Sequence, residues 1–256
     1  MTAQPSGRRW RQALTRALRD ERGFTLIELL VAGLASIVVT GALGAIVISS
    51  VKFSSNYTDR TDANQEGAIA MEKITQALNS SCVASQVPPV VSTGSTGTYS
   101  SDGTHLYFYS SLSDGPVITP NLVEVALANG QLTMTTNNAT GGSAPSPTNP
   151  NPWTFGSTGP TFTLLPNASQ TVNSGGTVPV FQYYGYTTGG SIASSPFTTP
   201  LSTTDAAQTA KVVVSFSSNP SDNNNTANRS VDLTNSVVLR LTPASATTGA
   251  TNIPCS

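Results

Sequence analysis

Charged side chains make up only 10% of this 256-residue chain, well under the roughly 25% usual for soluble domains. Ser, Thr, Asn and Gly are plentiful instead, and a polar but uncharged surface of that kind suits an exported protein. Histidine is scarcer: His105 is the only one. Any Ser-His-Asp arrangement would have to use it, and its setting, GTHLYFYS, reads as a strand without a nucleophile motif. The two cysteines, Cys82 and Cys255, lie 173 positions apart and form neither a CxxC nor a Cys/His cluster, which speaks against zinc. GxGxxG, Walker A, HExxH and EF-hand spacings are missing too. The nearest acidic run, Ser221-Asp222-Asn223-Asn224-Asn225, lacks the closing glutamate of an EF-hand. No repeat with a period of roughly 20 to 50 residues is visible, which argues against a solenoid. These absences point away from an enzyme and imply no catalytic residue, cofactor, metal or small-molecule substrate.

The charge that exists is unevenly placed. Residues 1–23 hold six arginines against Asp20 and Glu21, a net +4, and everything from Phe24 onward carries −5. A basic head before an apolar run is an orientation signal that keeps the arginines in the cytoplasm. Because the basic residues stop where the apolar run starts, nucleic acid explains them poorly. From Phe24 to Val51 the only charge is Glu28, and 23 uncharged residues separate it from Lys52. About 20 helical residues cross the hydrocarbon layer of a bilayer, so this run is long enough. A cleavable secretory signal has an apolar core of only about 7 to 15 residues.

Proline is absent between Phe24 and Val87, and Met71, Ile74 and Leu78 recur at i, i+3 and i+7. The helix is therefore expected to continue past the membrane boundary as an amphipathic segment. Asp59, Arg60, Asp62, Glu66, Glu72 and Lys73 supply its polar side. Gly33, Gly41, Gly44 and Gly67 are points where such a helix could bend.

After Pro88 the sequence turns to short β-rich runs divided by Gly, Pro, Ser and Asn, the pattern of an antiparallel sheet domain. Leu122 to Leu127 and Gln131 to Thr136 flank Asn129-Gly130, the preferred pair for a type I′ turn, so a hairpin is expected there. Further strands are expected at His105 to Tyr109, Val178 to Tyr186, Lys211 to Ser217 and Ser236 to Leu241. Residues 137–160 are rich in Pro, Gly and Asn and read as a long loop insertion, and residues 219–228 read as another. The aromatics Tyr107, Phe108, Tyr109, Phe181, Tyr183, Tyr184 and Tyr186 could form a binding patch, but such residues more often pack a sheet.

The ten residues Arg22-Gly23-Phe24-Thr25-Leu26-Ile27-Glu28-Leu29-Leu30-Val31 closely resemble the class III signal of type IV prepilins, pseudopilins and competence pilins. The resemblance joins a basic leader, a glycine, a phenylalanine, a glutamate four residues on and a long apolar helix. It is strong over residues 22–51 and fair to about Ser80. It implies cleavage between Gly23 and Phe24 by a membrane-embedded prepilin peptidase, and N-methylation of Phe24. Glycine at the cut tolerates the extended backbone that proteolysis requires. It also implies that Glu28 pairs with the new amine of a neighbouring subunit during assembly. An ionised carboxylate in an apolar segment costs several kcal/mol and so needs such a partner. An intramolecular pairing at i, i+4 is also open, as is a glutamate that reaches lipid headgroups. Gly41 and Ala45 make a small-xxx-small spacing that favours close helix packing. Chain length, FQYYGYTTGG at 181–190 and TNSVVLRL at 234–241 look like W-type minor pilins and J-type minor pseudopilins.

The expected architecture is α+β and pilin-like, with a long N-terminal helix packed on a mainly antiparallel β-sheet domain. Residues 1–23 are the cleaved leader, 24–51 the transmembrane and filament-core helix, 52–82 its amphipathic continuation and 83–256 the globular domain. The implied partners are the peptidase, other pilin or pseudopilin subunits, an inner-membrane assembly platform and membrane lipid, with DNA only in a competence role. The implied location is the cytoplasmic membrane, single-pass with the N-terminus cytoplasmic, and then an extracytoplasmic filament or the cell surface. In an exported domain, oxidising conditions make a Cys82–Cys255 disulfide the default, with two unpaired thiols as the alternative; the closed loop is long enough for roughly 5 kcal/mol in the chain-entropy account. A tip adhesin or DNA-uptake pilin would share all of these features. A membrane-anchored or secreted β domain with no filament role would require the Gly23-Phe24 and Glu28 pattern to be accidental.

Overall fold

The computed structural model describes residues 24–81, 88–93, 98–110, 120–141, 153–156, 159–220 and 229–239. Two compact units divide the chain, Met1–Ser55 and Asn56–Ser256. One α-helix, α1, runs from Leu26 to Asn79, in keeping with the absence of proline and the apolar and small residues along it. At its end Ser80 N–H donates to the carbonyls of Gln76 and Ala77, the Ser80 hydroxyl donates to Ala77, and Ser81 forms an antiparallel bridge to Ser110. The orphan carbonyls of the last turn are thereby partly satisfied as the chain passes to the sheet.

In the second unit α1 buries Ala63, Gly67, Ala70, Met71, Ile74 and Leu78, a stripe spaced by three and four residues that includes the three positions expected from the sequence. Ile74 and Leu78 are fully buried, worth about 2 kcal/mol each in area removed from water. Asp59 accepts a charge-assisted hydrogen bond of 2.7 Å from Arg229, and Asn235 Nδ2 donates to Thr75 Oγ1 at 3.0 Å.

The strands among the described residues are β1 His105–Ser110, β2 Asn121–Ala128, β3 Gln131–Asn137, β4 Ala139–Gly141, β5 Thr154–Phe155, β6 Thr161–Leu165, β7 Ala168–Ser169, β8 Val172–Asn173, β9 Gly176–Thr177, β10 Phe181–Tyr184, β11 Lys211–Ser218 and β12 Val231–Val238. A short helix, α2, spans Thr203–Gln208. The first sheet has the order β1-β2-β3-β6. The second is β10-β11-β12, with β7 also paired to β11, and two-stranded pairs are made by β4 with β5 and by β8 with β9. Every one of these pairings is antiparallel. The α+β class expected from the sequence is therefore observed.

Alternation along the strands builds one shared core. Leu106 and Phe108 of β1, Val123 and Val125 of β2, Phe181 and Tyr183 of β10, and Val212, Val214 and Phe216 of β11 join Ile74 and Leu78 of α1 in it. The β2–β3 turn is as expected: Asn129 and Gly130 have φ of 51° and 75°, and Ala128 pairs with Gln131. Two central residues with positive φ define the type I′ geometry.

The last strand differs from expectation. It runs Val231–Val238 rather than Ser236 to Leu241, because β11 supplies an eight-residue template that pairs Ser218 with Val231 and Lys211 with Val238. Its polar residues are accommodated across the ladder, where Ser217 donates to Asp232 and the hydroxyls of Ser215 and Thr234 bond. The loop expected over 137–160 contains the β4–β5 ladder. Helix α2 was not expected; Ser202 caps it by accepting from Asp205 N–H at 3.0 Å and donating to the Asp205 carboxylate at 2.7 Å.

Candidate functional site: an exposed apolar helix around Glu28

The site is the first part of α1, within the unit Met1–Ser55. Its start is defined by Thr25, whose Oγ1 accepts from Glu28 N–H at 3.3 Å while the Thr25 carbonyl accepts from Glu28 and Leu29 at 3.0 and 3.2 Å. Thr25 thus stands at the N-cap and Glu28 three residues on, the spacing of a capping box. A carboxylate in the first turn also faces the positive end of the helix dipole, worth about 0.3–1 kcal/mol. This second role for Glu28 was missed in the sequence, although Thr-x-x-Glu before an apolar run is its standard signature.

From there the helix is apolar on every side. Leu26, Ile27, Leu29, Leu30, Val31, Leu34, Ile37, Val38, Val39, Leu43, Ile46, Val47, Ile48 and Val51 are all exposed, and Phe24 is 80% exposed. A window of this helix reaches a mean hydropathy of 2.4 with none of it buried. An apolar surface of that extent is incompatible with free exposure to water, and by length and composition the helix can cross a membrane. Glu28 is flanked by Val31, Ala32 and Ala35 along a concave face. The two alanines leave the approach to its carboxylate open. Among the described residues no basic group forms an ion pair with it. Thr40 turns its hydroxyl back to the Ser36 carbonyl at 2.7 Å, so it presents no unsatisfied donor to an apolar environment.

Of the residues singled out in the sequence, Phe24 and Glu28 are both placed here, four positions apart at the helix start. Gly23 and the leader 1–22 lie outside the described residues, as do Cys82, Cys255 and the Ser221 to Asn225 run. The aromatic residues divide between two faces, as their alternation implies. Phe108, Phe181 and Tyr183 are core, with the Tyr183 hydroxyl donating to the carbonyls of Asp102 and His105. Tyr107 and Tyr109 face the other way and pack with Tyr99, Trp153 and Phe155 around Val91 and Leu122, including an edge-on Tyr109–Trp153 pair at 5.0 Å. Tyr184 lies beneath Lys211, whose Nζ is 4.1 Å from the ring centre.

His105 has a structural setting. Asp102 Oδ1 accepts from Thr104 N–H, Thr104 Oγ1 and His105 N–H at 2.6, 2.9 and 2.7 Å, and His105 Nδ1 lies 3.3 Å away. Burial of Asp102 raises its pKa, but those hydrogen bonds and the nearby imidazole outweigh it and hold the carboxyl below its ordinary value. Tyr107 is pushed well above its ordinary value by burial and by its hydrogen bond to Glu124. Among the described residues there is no group of three or more His, Cys, Asp or Glu side chains fit for a metal.

No protein-family model, no curated protein and no solved structure matches the chain.

Proposed function

We propose that this protein is a prepilin-type structural subunit: made with a basic leader, cut between Gly23 and Phe24, held in the membrane by α1 and then assembled through that helix into an extracytoplasmic filament. The observation that carries the reading is a helix apolar on all sides, capped at Thr25 two residues after the Gly23-Phe24 junction, with Glu28 as its only charge before Lys52. Capping the helix is one use of this carboxylate, and pairing with a neighbour's amine would give it a second, in keeping with its having no ion-pair partner among the described residues. The apolar run then serves twice, first against lipid and afterwards against the helices of sister subunits, where the exposed Gly41 to Ala45 spacing allows close approach. Its partners on this reading are the prepilin peptidase, other pilin or pseudopilin subunits and the assembly platform. The role is structural, with no chemistry of its own.

The deciding measurement is the intact mass and N-terminal sequence of the protein recovered from native membranes and from sheared surface material. A product beginning at methylated Phe24 is expected. A chain still beginning at Met1, or one cut near Ala45, would overturn the proposal. A companion experiment replaces Glu28 by Leu: membrane insertion should persist while incorporation into filaments falls, and normal incorporation would count against the assembly role of the carboxylate.

A further inference from the structure

Between β10 and α2 the chain repeats itself in units of four: Ala193-Ser194-Ser195-Pro196, Phe197-Thr198-Thr199-Pro200 and Leu201-Ser202-Thr203-Thr204. Each unit opens on an apolar residue and continues with a pair of hydroxyl side chains. The fold follows that period. The N–H groups of Ala193, Phe197 and Leu201 donate to the carbonyls of Gly185, Tyr183 and Ser101 at 2.8, 2.7 and 2.9 Å. Leu201 is fully buried, and Phe197 packs against the shared core. Between these anchors the chain faces solvent: Ser194, Ser195, Pro196, Thr198, Thr199 and Pro200 are all exposed. The third unit differs, because the Ser202 hydroxyl is engaged in capping α2. Among the described residues, neither the hydroxyls nor the N–H groups of Ser194, Ser195, Thr198 and Thr199 make a hydrogen bond. The proline after each pair biases Ser195 and Thr199 toward extended backbone. The result is a firmly anchored strap that holds four free hydroxyls outward on main chain whose polar groups an enzyme can match as it would an added strand.

Charge decides what such hydroxyls can carry. Residues 125–204 contain no charged side chain, and Lys211, beyond them, lies over the Tyr184 ring. A phosphoryl group brings up to two negative charges and is held by arginines, which the strap does not supply. A neutral polyhydroxyl group needs no counter-charge, and a run of Ser and Thr interspersed with Pro is the composition that bears O-linked sugars. We propose that Ser194, Ser195, Thr198 and Thr199 are acceptors for O-linked sugar. In the transfer, the side-chain oxygen bonds to the anomeric carbon of a sugar carried on phosphate. The bond from that carbon to the phosphate oxygen breaks, the phosphate leaves with the bonding pair, and the hydroxyl proton passes to a base of the transferase. Because Phe197 and Leu201 face inward, an adduct on the outward pairs displaces no packed side chain. The site is independent of the filament proposal and uses neither Phe24 nor Glu28.

The test is made on the full chain recovered from its native membranes. Chymotryptic peptides within 187–201 should be heavier than their sequence by whole sugar residues, and mild alkali should remove the excess by β-elimination. Electron-transfer fragmentation should place it on Ser194, Ser195, Thr198 or Thr199 and leave Ser202 bare. The double variants Ser194→Ala/Ser195→Ala and Thr198→Val/Thr199→Val should each lose part of the excess, and the two combined should lose all of it, with Tm unchanged because the altered side chains are exposed. Native peptides at their bare sequence mass would overturn the proposal. So would sugar confined to Ser or Thr outside these four positions, or an excess that proves to be phosphate. The filament proposal is read from a different peptide, the one that begins at Phe24, so either reading can fail while the other stands.

Discussion

Replacing Gly67 by alanine sets two known effects of opposite sign against each other at one position. Alanine is favoured over glycine inside a helix by about 1 kcal/mol, so at an open site the change stabilises. Gly67 is not open. A Cβ built there falls 2.5 Å from Leu233 Cδ1 and 3.0 Å from Ser218 Cβ. The leucine methyl ends a flexible side chain and can swing aside, whereas Ser218 is fully buried and its Cβ is fixed to the β11 backbone, so helix and sheet must separate by a few tenths of an ångström. Overpacking of this kind costs roughly 1–3 kcal/mol, and it should outweigh the propensity gain. The expected net loss is about 1 kcal/mol, or a fall in Tm of about 2–4 °C for a domain of this size, followed by near-ultraviolet circular dichroism. Gly44, with nothing within 4 Å, is the control: Gly44→Ala should leave that transition unmoved. In the Ser218→Gly background, which removes the fixed contact, Gly67→Ala should recover at least about 0.5 kcal/mol, the coupling expected for residues in contact. A Tm raised by Gly67→Ala alone would refute the reasoning.

Two further perturbations probe the ends of this structure. Thr25→Ala removes the side-chain acceptor for Glu28 N–H, leaving only the Thr25 carbonyl, and should cost the helix start about 1 kcal/mol, seen as roughly fivefold faster exchange of the Glu28 amide, with Thr25→Ser close to the native protein. The Asp102 carboxyl is held below its ordinary value in the folded protein, so its contribution to stability is present above the ordinary carboxylate range, about pH 4, and is lost as pH falls through its folded value; acid unfolding curves of Asp102→Asn should be flatter in that range, and identical curves would show that the carboxylate is not held as described.

Much of this architecture was legible in the sequence because its signals are local. The span and end of α1 follow from an absence of proline and a change of vocabulary at Pro88. The β2–β3 hairpin follows from Asn129-Gly130, whose positive φ angles few other residue pairs tolerate. Strands β1 and β11 follow from β-branched and aromatic runs. Even the missed N-cap was written plainly as Thr25-x-x-Glu28, and the capping of α2 as Ser202-x-x-Asp205.

What the sequence determined by itself was the character of the N-terminal helix: apolar around its whole circumference, capped, charged once and long enough to cross a membrane, properties fixed by neighbours within one or two turns. Tertiary structure decided the rest. β12 took its register from β11 and not from its own propensity, because a polar strand acquires its bonds only when Ser215 and Ser217 stand opposite it. Gly67 looked like a weak point in a helix and became the place where a sheet approaches it. Which strand pairs with which, and which of them a helix stands beside, depends on contacts between residues as much as 170 positions apart, such as Asp59 and Arg229. No local pattern encodes them, so the packing of α1 against β12 exists only once the chain has folded.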